Sequence, residues 1–360
     1  MLEPLLLAGG FALGLALAFA TGGARFCIYG ALSDVARRRS SPRLASWLIA
    51  IAVAILGTAL LQGAGIIDTS RSLYASPRLL WLSHIAGGLL FGIGMTYAEG
   101  CGLRNLTKAG EGDLDAALAL LAIGLAAFMT MKGILALPRL HGLDAFFVEL
   151  PAPQTLDALL ARAGLPRAAA PALAIALIIA VLFLLRTRAN LSRETLWRGA
   201  AVGGLVFAVW WLSGVLGYLP EHPETLEEVF LRTGSGRMES LSFIGPLAQG
   251  LEWLLWWTDD SRVLPIGTAI AIGVISGAVL YARSHGMAMS PESRDPHRSR
   301  RHLLGGALMG MGGVTSLGCS VGQGITGIST LALGSILTIT GIVAGALLAL
   351  RQRPEAGCGA

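Results

Sequence analysis

Residues 84–101 read HIAGGLLFGIGMTYAEGC, and residues 302–319 read HLLGGALMGMGGVTSLGC. Without a gap, His84 meets His302, the Gly-Gly pairs coincide, and Gly100-Cys101 falls on Gly318-Cys319. Beyond the cysteines the same register sets Asn105 against Gln323, both carboxamides. A match anchored on so rare a residue, with four cysteines in 360 positions, marks an internal duplication. A weaker match precedes it in each half. Cys27-Ile28-Tyr29-Gly30-Ala31-Leu32 parallels Ser242-Phe243-Ile244-Gly245-Pro246-Leu247, so Ser242 stands where Cys27 stands in the first half.

The surroundings of these stretches fix the class. Apolar residues make up 54% of the chain and charged residues only 14%, against about a quarter charged in a soluble protein. The charges sit between long uncharged runs, and about 20 apolar residues cross roughly 30 Å of hydrocarbon. An all-α integral membrane protein follows. The 48 glycines suit close helix packing in lipid, and Trp253, Trp256 and Trp257 suit an interfacial belt. A net charge of +5 does not point to nucleic acid, because the arginines are spread over loops. Leu5–Ala20 resembles a signal-peptide core, but Glu3 precedes it and no Lys or Arg does. It reads as a retained first helix.

About nine segments are long enough to span: 5–21, 45–66, 79–98, 114–137, 171–188, 199–219, 264–282, 303–318 and 330–350. Two shorter pieces, 24–34 and 240–257, read as half-helices or re-entrant segments, which need protein or a cavity around them. One set of loops is arginine-rich: Arg37, Arg38, Arg39 and Arg43; Arg186, Arg188, Arg193 and Arg198; Arg294, Arg298, Arg300 and Arg301; Arg351 and Arg353. The other set carries Glu221, Glu224, Glu227, Glu228, Asp259 and Asp260. The positive-inside rule places the first set in the cytoplasm, the N-terminus in the periplasm and the C-terminus inside. The two halves then run in opposite senses, as inverted-topology repeats. Residues 1–138 form the first repeat, and 139–198 a periplasmic loop with a connecting span. Residues 199–353 form the second repeat, and 354–360 a cytoplasmic tail. Inverted repeats with broken helices place a substrate site at the repeat interface.

The candidate pathway residues are therefore Cys27, Cys101, Cys319 and Ser242, with Arg25, Asn105 and Gln323 beside them. Free cysteine often packs as a small hydrophobe, yet packing alone does not predict cysteines at matched repeat positions. Polar groups at membrane depth tend to be functional. Cys358, in the tail, reads as incidental. Asn105, Gln323 and Ser242 can line a pathway or cap helices, and Arg25 can attract an anion or snorkel. Glu99, next to Gly100-Cys101, is the awkward residue: its carboxylate repels an anion unless it is neutralised. No CxxC pair or histidine spacing suggests a metal, and no cofactor is expected. Gly322-x-Gly324-x-x-Gly327 lacks the strand context of a dinucleotide site.

Thiols are weak, polarizable donors and acceptors that can hold an anion without trapping it. Half-helix N-termini add positive dipole ends. Three motifs carry a family resemblance: Gly23-Ala24-Arg25-Phe26-Cys27 through Asp34, Glu99-Gly100-Cys101-Gly102-Leu103 with Ala109–Gly112, and Gly318-Cys319-Ser320 through Gly327. In order, they resemble the YeeE/YedE sulfur-transport family over nearly the whole chain. That resemblance implies uptake of thiosulfate, handed along by thiol hydrogen bonds on Cys27, Cys101 and Cys319. It also implies a cytoplasmic TusA-like sulfur-carrier protein as partner, and some branches are tied to selenium. Gln323, where His is frequent, and Glu99, where a small residue is usual, depart from the family pattern. The competing enzyme class is a membrane thiol-disulfide oxidoreductase, which requires a closely paired resolving cysteine.

Overall fold

Runs of Leu, Ala, Ile and Val buried away from water must satisfy their backbone within the segment, and helices do this. The computed structural model describes residues 2–23, 26–37, 41–164, 166, 169–185, 192–222, 226–259, 261–287 and 295–352. Its helices are α1 (Leu2–Thr21), α2 (Ile28–Ala36), α3 (Pro42–Gly63), α4 (Trp81–Tyr97), α5 (Gly102–Gly110), α6 (Leu114–Met131) and the short α7 (Ala136–Pro138). There follow α8 (Leu156–Arg162), α9 (Ala169–Leu185), α10 (Arg193–Trp211), α11 (Ile244–Leu255), α12 (Ile266–Ser284), α13 (Pro296–Thr315) and α14 (Leu333–Gln352). A further helical stretch from Ser320 winds wide over Gly322–Gly327.

Six described helices are long and apolar enough to cross a membrane: Leu2–Thr21, Pro42–Gly63, Leu114–Met131, Arg193–Leu216, Ile266–Ser284 and Leu333–Gln352. The other three expected spans fall on α4, α9 and α13. The short α2 and α11 occupy the two positions read as half-helices.

Several boundaries differ from the sequence reading, and three of them have a local cause. Helix α13 starts at Pro296, because Asp295 caps the His297 N–H at 3.0 Å and proline suits the first helical position. Arg298, Arg300 and Arg301 are therefore helical, not loop residues. Helix α10 starts at Arg193, capped by Ser192 through the Thr195 N–H at 3.2 Å. Helix α6 stops at Met131, just before Lys132-Gly133.

Close helix approach is made by glycine. Gly87 lies against Gly312 and Gly94 against Gly305, backbone to backbone, where α4 meets α13. These two contacts exchange under the same shift in register that aligns His84 with His302. Gly88 and Gly92 meet the α14 backbone, with Cβ atoms there overlapping the Thr338 and Ile342 carbonyls. Gly306 and Gly310 meet the Ala119 and Ile123 carbonyls of α6 in the same way. Gly14 and Gly277 seat α1 on α12, and Gly199 and Gly203 seat α10 on α3.

The ends of the helices define two faces. On the face holding Glu3, Arg232 pairs with Glu3, Arg71 with Glu228 at 3.0 Å, and Lys132 and Arg262 share Glu252. Two small antiparallel ribbons tie its loops: Arg78–Leu79 with Val148–Glu149, and Tyr218–Leu219 with Val229–Phe230. On the opposite face, that of Glu99, Arg198 donates to the Gly22 carbonyl at 2.6 Å and Arg43 lies 3.8 Å from Asp34. Arg38, Arg39, Arg186, Arg188, Arg294, Arg353 and Cys358 lie outside the described residues.

Candidate functional site

Two helices stop in the same way before their cysteines. At the end of α4, Glu99 turns left-handed at φ 51°, and the Gly100 N–H donates back to the Met95 carbonyl at 3.0 Å. At the end of α13, Leu317 turns left-handed at φ 60°, and the Gly318 N–H reaches the Gly313 carbonyl at 2.7 Å. This six-to-one bond closes a helix end, and glycine usually holds the left-handed position. A residue with a Cβ costs about 1–2 kcal/mol there. The backbone thus breaks alike at both of the aligned sequence positions, at some energetic cost.

After each break the chain restarts on a cysteine. Cys101 is extended (φ −76°, ψ 176°) and its carbonyl accepts from the Asn105 N–H at 2.9 Å, opening α5. The Cys319 carbonyl accepts from the Gln323 N–H at 2.7 Å, and its sulfur accepts from the Gly322 N–H at 3.3 Å. Cys27 (φ −148°, ψ 120°) opens α2, its carbonyl accepting from the Ala31 N–H at 2.9 Å. Each thiol therefore sits where the first N–H groups of a short helix lack intrahelical partners and the positive end of its dipole lies. All three are buried in one apolar cluster, with exposures of 0%, 2% and 1% for Cys27, Cys101 and Cys319. Cys101 lies within electrostatic range of both other thiols.

The carboxamides hold the breaks in shape. Asn105 Nδ2 donates to the Gly100 and Cys101 carbonyls at 2.9 and 3.1 Å, leaving its buried Oδ1 without a hydrogen-bond partner. Gln323 Nε2 donates to the Ser316 carbonyl at 2.7 Å, and its Oε1 accepts from Ser335 at 2.5 Å. Both polar atoms of Gln323 are thus engaged, whereas the Asn105 oxygen stays open. Ser242 is half-buried, its hydroxyl turned toward Gly322. It lines a cavity of about 230 Å³ with Tyr74, Arg139, Gln249, Leu317 and Gly318. The cavity lies on the Glu3 side, at the second break. Arg25 lies outside the described residues.

The amino-acid sequence from 23 to 348 matches the family described as Sulphur transport. The chain belongs to that family. The match takes in all three buried thiols and both helix breaks. It agrees with the resemblance carried by the three cysteine motifs. "Thiosulfate transporter TsuA" of Escherichia coli (strain K12) is 26% identical over 319 residues, covering 88% of this chain and 86% of that protein. "Thiosulfate transporter TsuA" of Spirochaeta thermophila is 28% identical over 328 residues, covering 87% and 88%.

For a sulphur-transport protein the site holds two more groups that motif reading passed over. Ser320 is fully buried beside the Cys101 sulfur, and its hydroxyl makes no hydrogen bond of good geometry. Trp47 stacks on Phe26 with ring centroids 5.2 Å apart, and its buried indole N–H has no partner. A buried donor left unpaired costs about 1–3 kcal/mol, so such groups call for a ligand or an ordered water. Ser320 carried a signal, its place next to Cys319. Trp47 carried none, since a tryptophan near a span end reads as an interfacial anchor.

Proposed function

We propose that this chain takes thiosulfate, or a closely related small sulfur-containing anion, across the inner membrane. The ion passes through a narrow path on which Cys27, Cys101 and Cys319 hold it in turn. One observation carries the reading: thiols from three distant segments are buried together, each at the start of a short helix. Helix N-termini attract anions without a full charge, and thiols bind weakly enough to let go. The open indole N–H of Trp47, the Ser320 hydroxyl beside Cys101 and the open acceptor of Asn105 suit an oxyanion and a thiol proton. The substrate class follows the names of the two relatives. A selenium species of similar shape is the nearest alternative cargo.

The architecture that fits this is two inverted repeats, 1–138 and 199–353, joined by 139–198, with nine crossings. The exchangeable glycine contacts of α4 and α13 and the matched breaks support it, because a twofold relation makes each contact the image of another. The Glu3 face is then periplasmic and the Glu99 face cytoplasmic. A TusA-like carrier would collect the sulfur on the latter. The chain moves its substrate and performs no bond chemistry on it.

The test is growth of a sulfur auxotroph on thiosulfate with this chain as sole importer, together with uptake of labelled thiosulfate. Cys101→Ala and Cys319→Ala are each expected to reduce uptake to background while the protein still inserts. Retained uptake in both variants removes the thiol-relay reading.

A further inference from the structure

Glu99 has no place in the passage as described, and the structure gives it one. Its carboxylate meets Arg301 Nη2 at 3.0 Å and Arg298 Nη2 at 3.8 Å, both from the first turns of α13. His302 Nε2 stands 3.9 Å away, and the Glu99 carbonyl accepts from Lys108 Nζ at 3.3 Å. Arg298 continues the chain of charges to Asp113 and Asp115, each at 3.6 Å, and Ser299 donates to Asp115 at 2.5 Å. Thus the start of α13 is tied at once to the break before Cys101 and to the start of α6. At the matched position of the other repeat stands Leu317, which carries no charge and borders a cavity.

We propose that Glu99 is a latch on the Glu99 face. Its pairing with Arg298 and Arg301 pins the break two residues before Cys101 and closes this end of the passage. This rests on the transport reading for its purpose, though not for its test. The carboxylate is a tethered anion occupying guanidinium groups that suit a mobile anion equally well. A dianion arriving at Cys101 competes for the same donors, frees the break and leaves. In a passage for anions a carboxylate is tolerable here because it is neutralised until that moment.

The experiment uses the full chain with Cys358→Ala in inside-out vesicles. Small membrane-impermeant thiosulfonate reagents, one sulfonated and one trimethylammonium, are added, and modification of Cys101 is followed by peptide mass. Glu99→Gln and Arg301→Gln are each expected to speed modification by both reagents about tenfold, the factor that loosening by roughly 1.4 kcal/mol gives. Exchange of the pair, Glu99→Arg with Arg301→Glu, is expected to bring both rates back toward the parent value. Thiosulfate on the same side is expected to speed the parent reaction and leave Glu99→Gln unchanged. Simple attraction without a latch would raise the sulfonated rate and lower the cationic one in Glu99→Gln and do the reverse in Arg301→Gln, and either pattern overturns the proposal. So do unchanged rates in folded Glu99→Gln protein, an exchanged pair as fast as the single variants, or protection by thiosulfate. Labelling needs no net uptake, so the latch can fail while the transport reading stands, and the reverse.

Discussion

The breaks at 97–101 and 315–319 share a backbone and differ in what surrounds them. Both helices end on a left-handed residue that is not glycine, both close with a six-to-one hydrogen bond, and both restart on a buried cysteine. At the first, Glu99 is held by Arg298 and Arg301, and the space is filled with charged groups. At the second, Leu317 and Gly318 border a cavity of about 230 Å³. Two breaks of one backbone shape thus differ at the aligned left-handed position, Glu99 against Leu317, and the first is tied by charge while the second borders open space.

The comparison breaks most readily at the frame that holds both devices. Gly92 and Gly310 occupy matched places, and a side chain at either drives into a carbonyl of the neighbouring helix. Gly92→Leu and Gly310→Leu are expected to destabilise the protein by about 3 kcal/mol or more and by similar amounts, read as lost monodisperse protein and a lowered Tm. Strongly unequal damage would mean that the halves do not share one packing scheme. A smaller effect sharpens the contrast in charge. Leu317→Glu places a carboxylate beside the open cavity, where the lining Arg139 is already paired with Asp144 at 3.4 Å. Repulsion of roughly 1–2 kcal/mol is expected to lower thiosulfate uptake about tenfold, less so at high salt.

The smallest expected effect concerns pH. His302 beside the Glu99 carboxylate, helped by Lys108 and Arg298, holds its pKa down at about 2 against the opposing effect of burial. A depressed carboxyl adds stability that is complete above the ordinary value near 4.5 and fades only as pH falls toward 2. Protection of Cys101 from modification is therefore expected to show no loosening between pH 8 and pH 5. Deprotection within that window would mean that another group governs the mouth.

Much of this was legible because cysteine is scarce and glycine is positional. Gly100-Cys101 and Gly318-Cys319 announce both the repeat and the helix breaks, and the short α2 and α11 fall on the stretches too short to span. The start of α13 was not legible: three arginines in six residues read as a loop until Asp295-Pro296 is recognised as a cap. Nor could a linear reading find the partner of Glu99, which arrives on a helix two hundred positions later. Pairings at that distance depend on which helices meet, and apolar runs are nearly interchangeable in this respect. Trp47 escaped for a related reason. Whether an indole faces headgroups or a buried path is decided by neighbours.

The order in which the helices meet also bears on how the protein is made. Helix α1 lies on α12, α3 on α10, α4 on α13 and α14, and α6 on α13, so the principal partners of the early spans belong to the later half. The leading half leaves the ribosome as an unpaired array with its glycine grooves facing lipid, waiting for the trailing half to interlock with it. Neither fragment is expected to hold its shape alone, whereas the two produced together from a gene cut within the joining segment are expected to knit into a working whole.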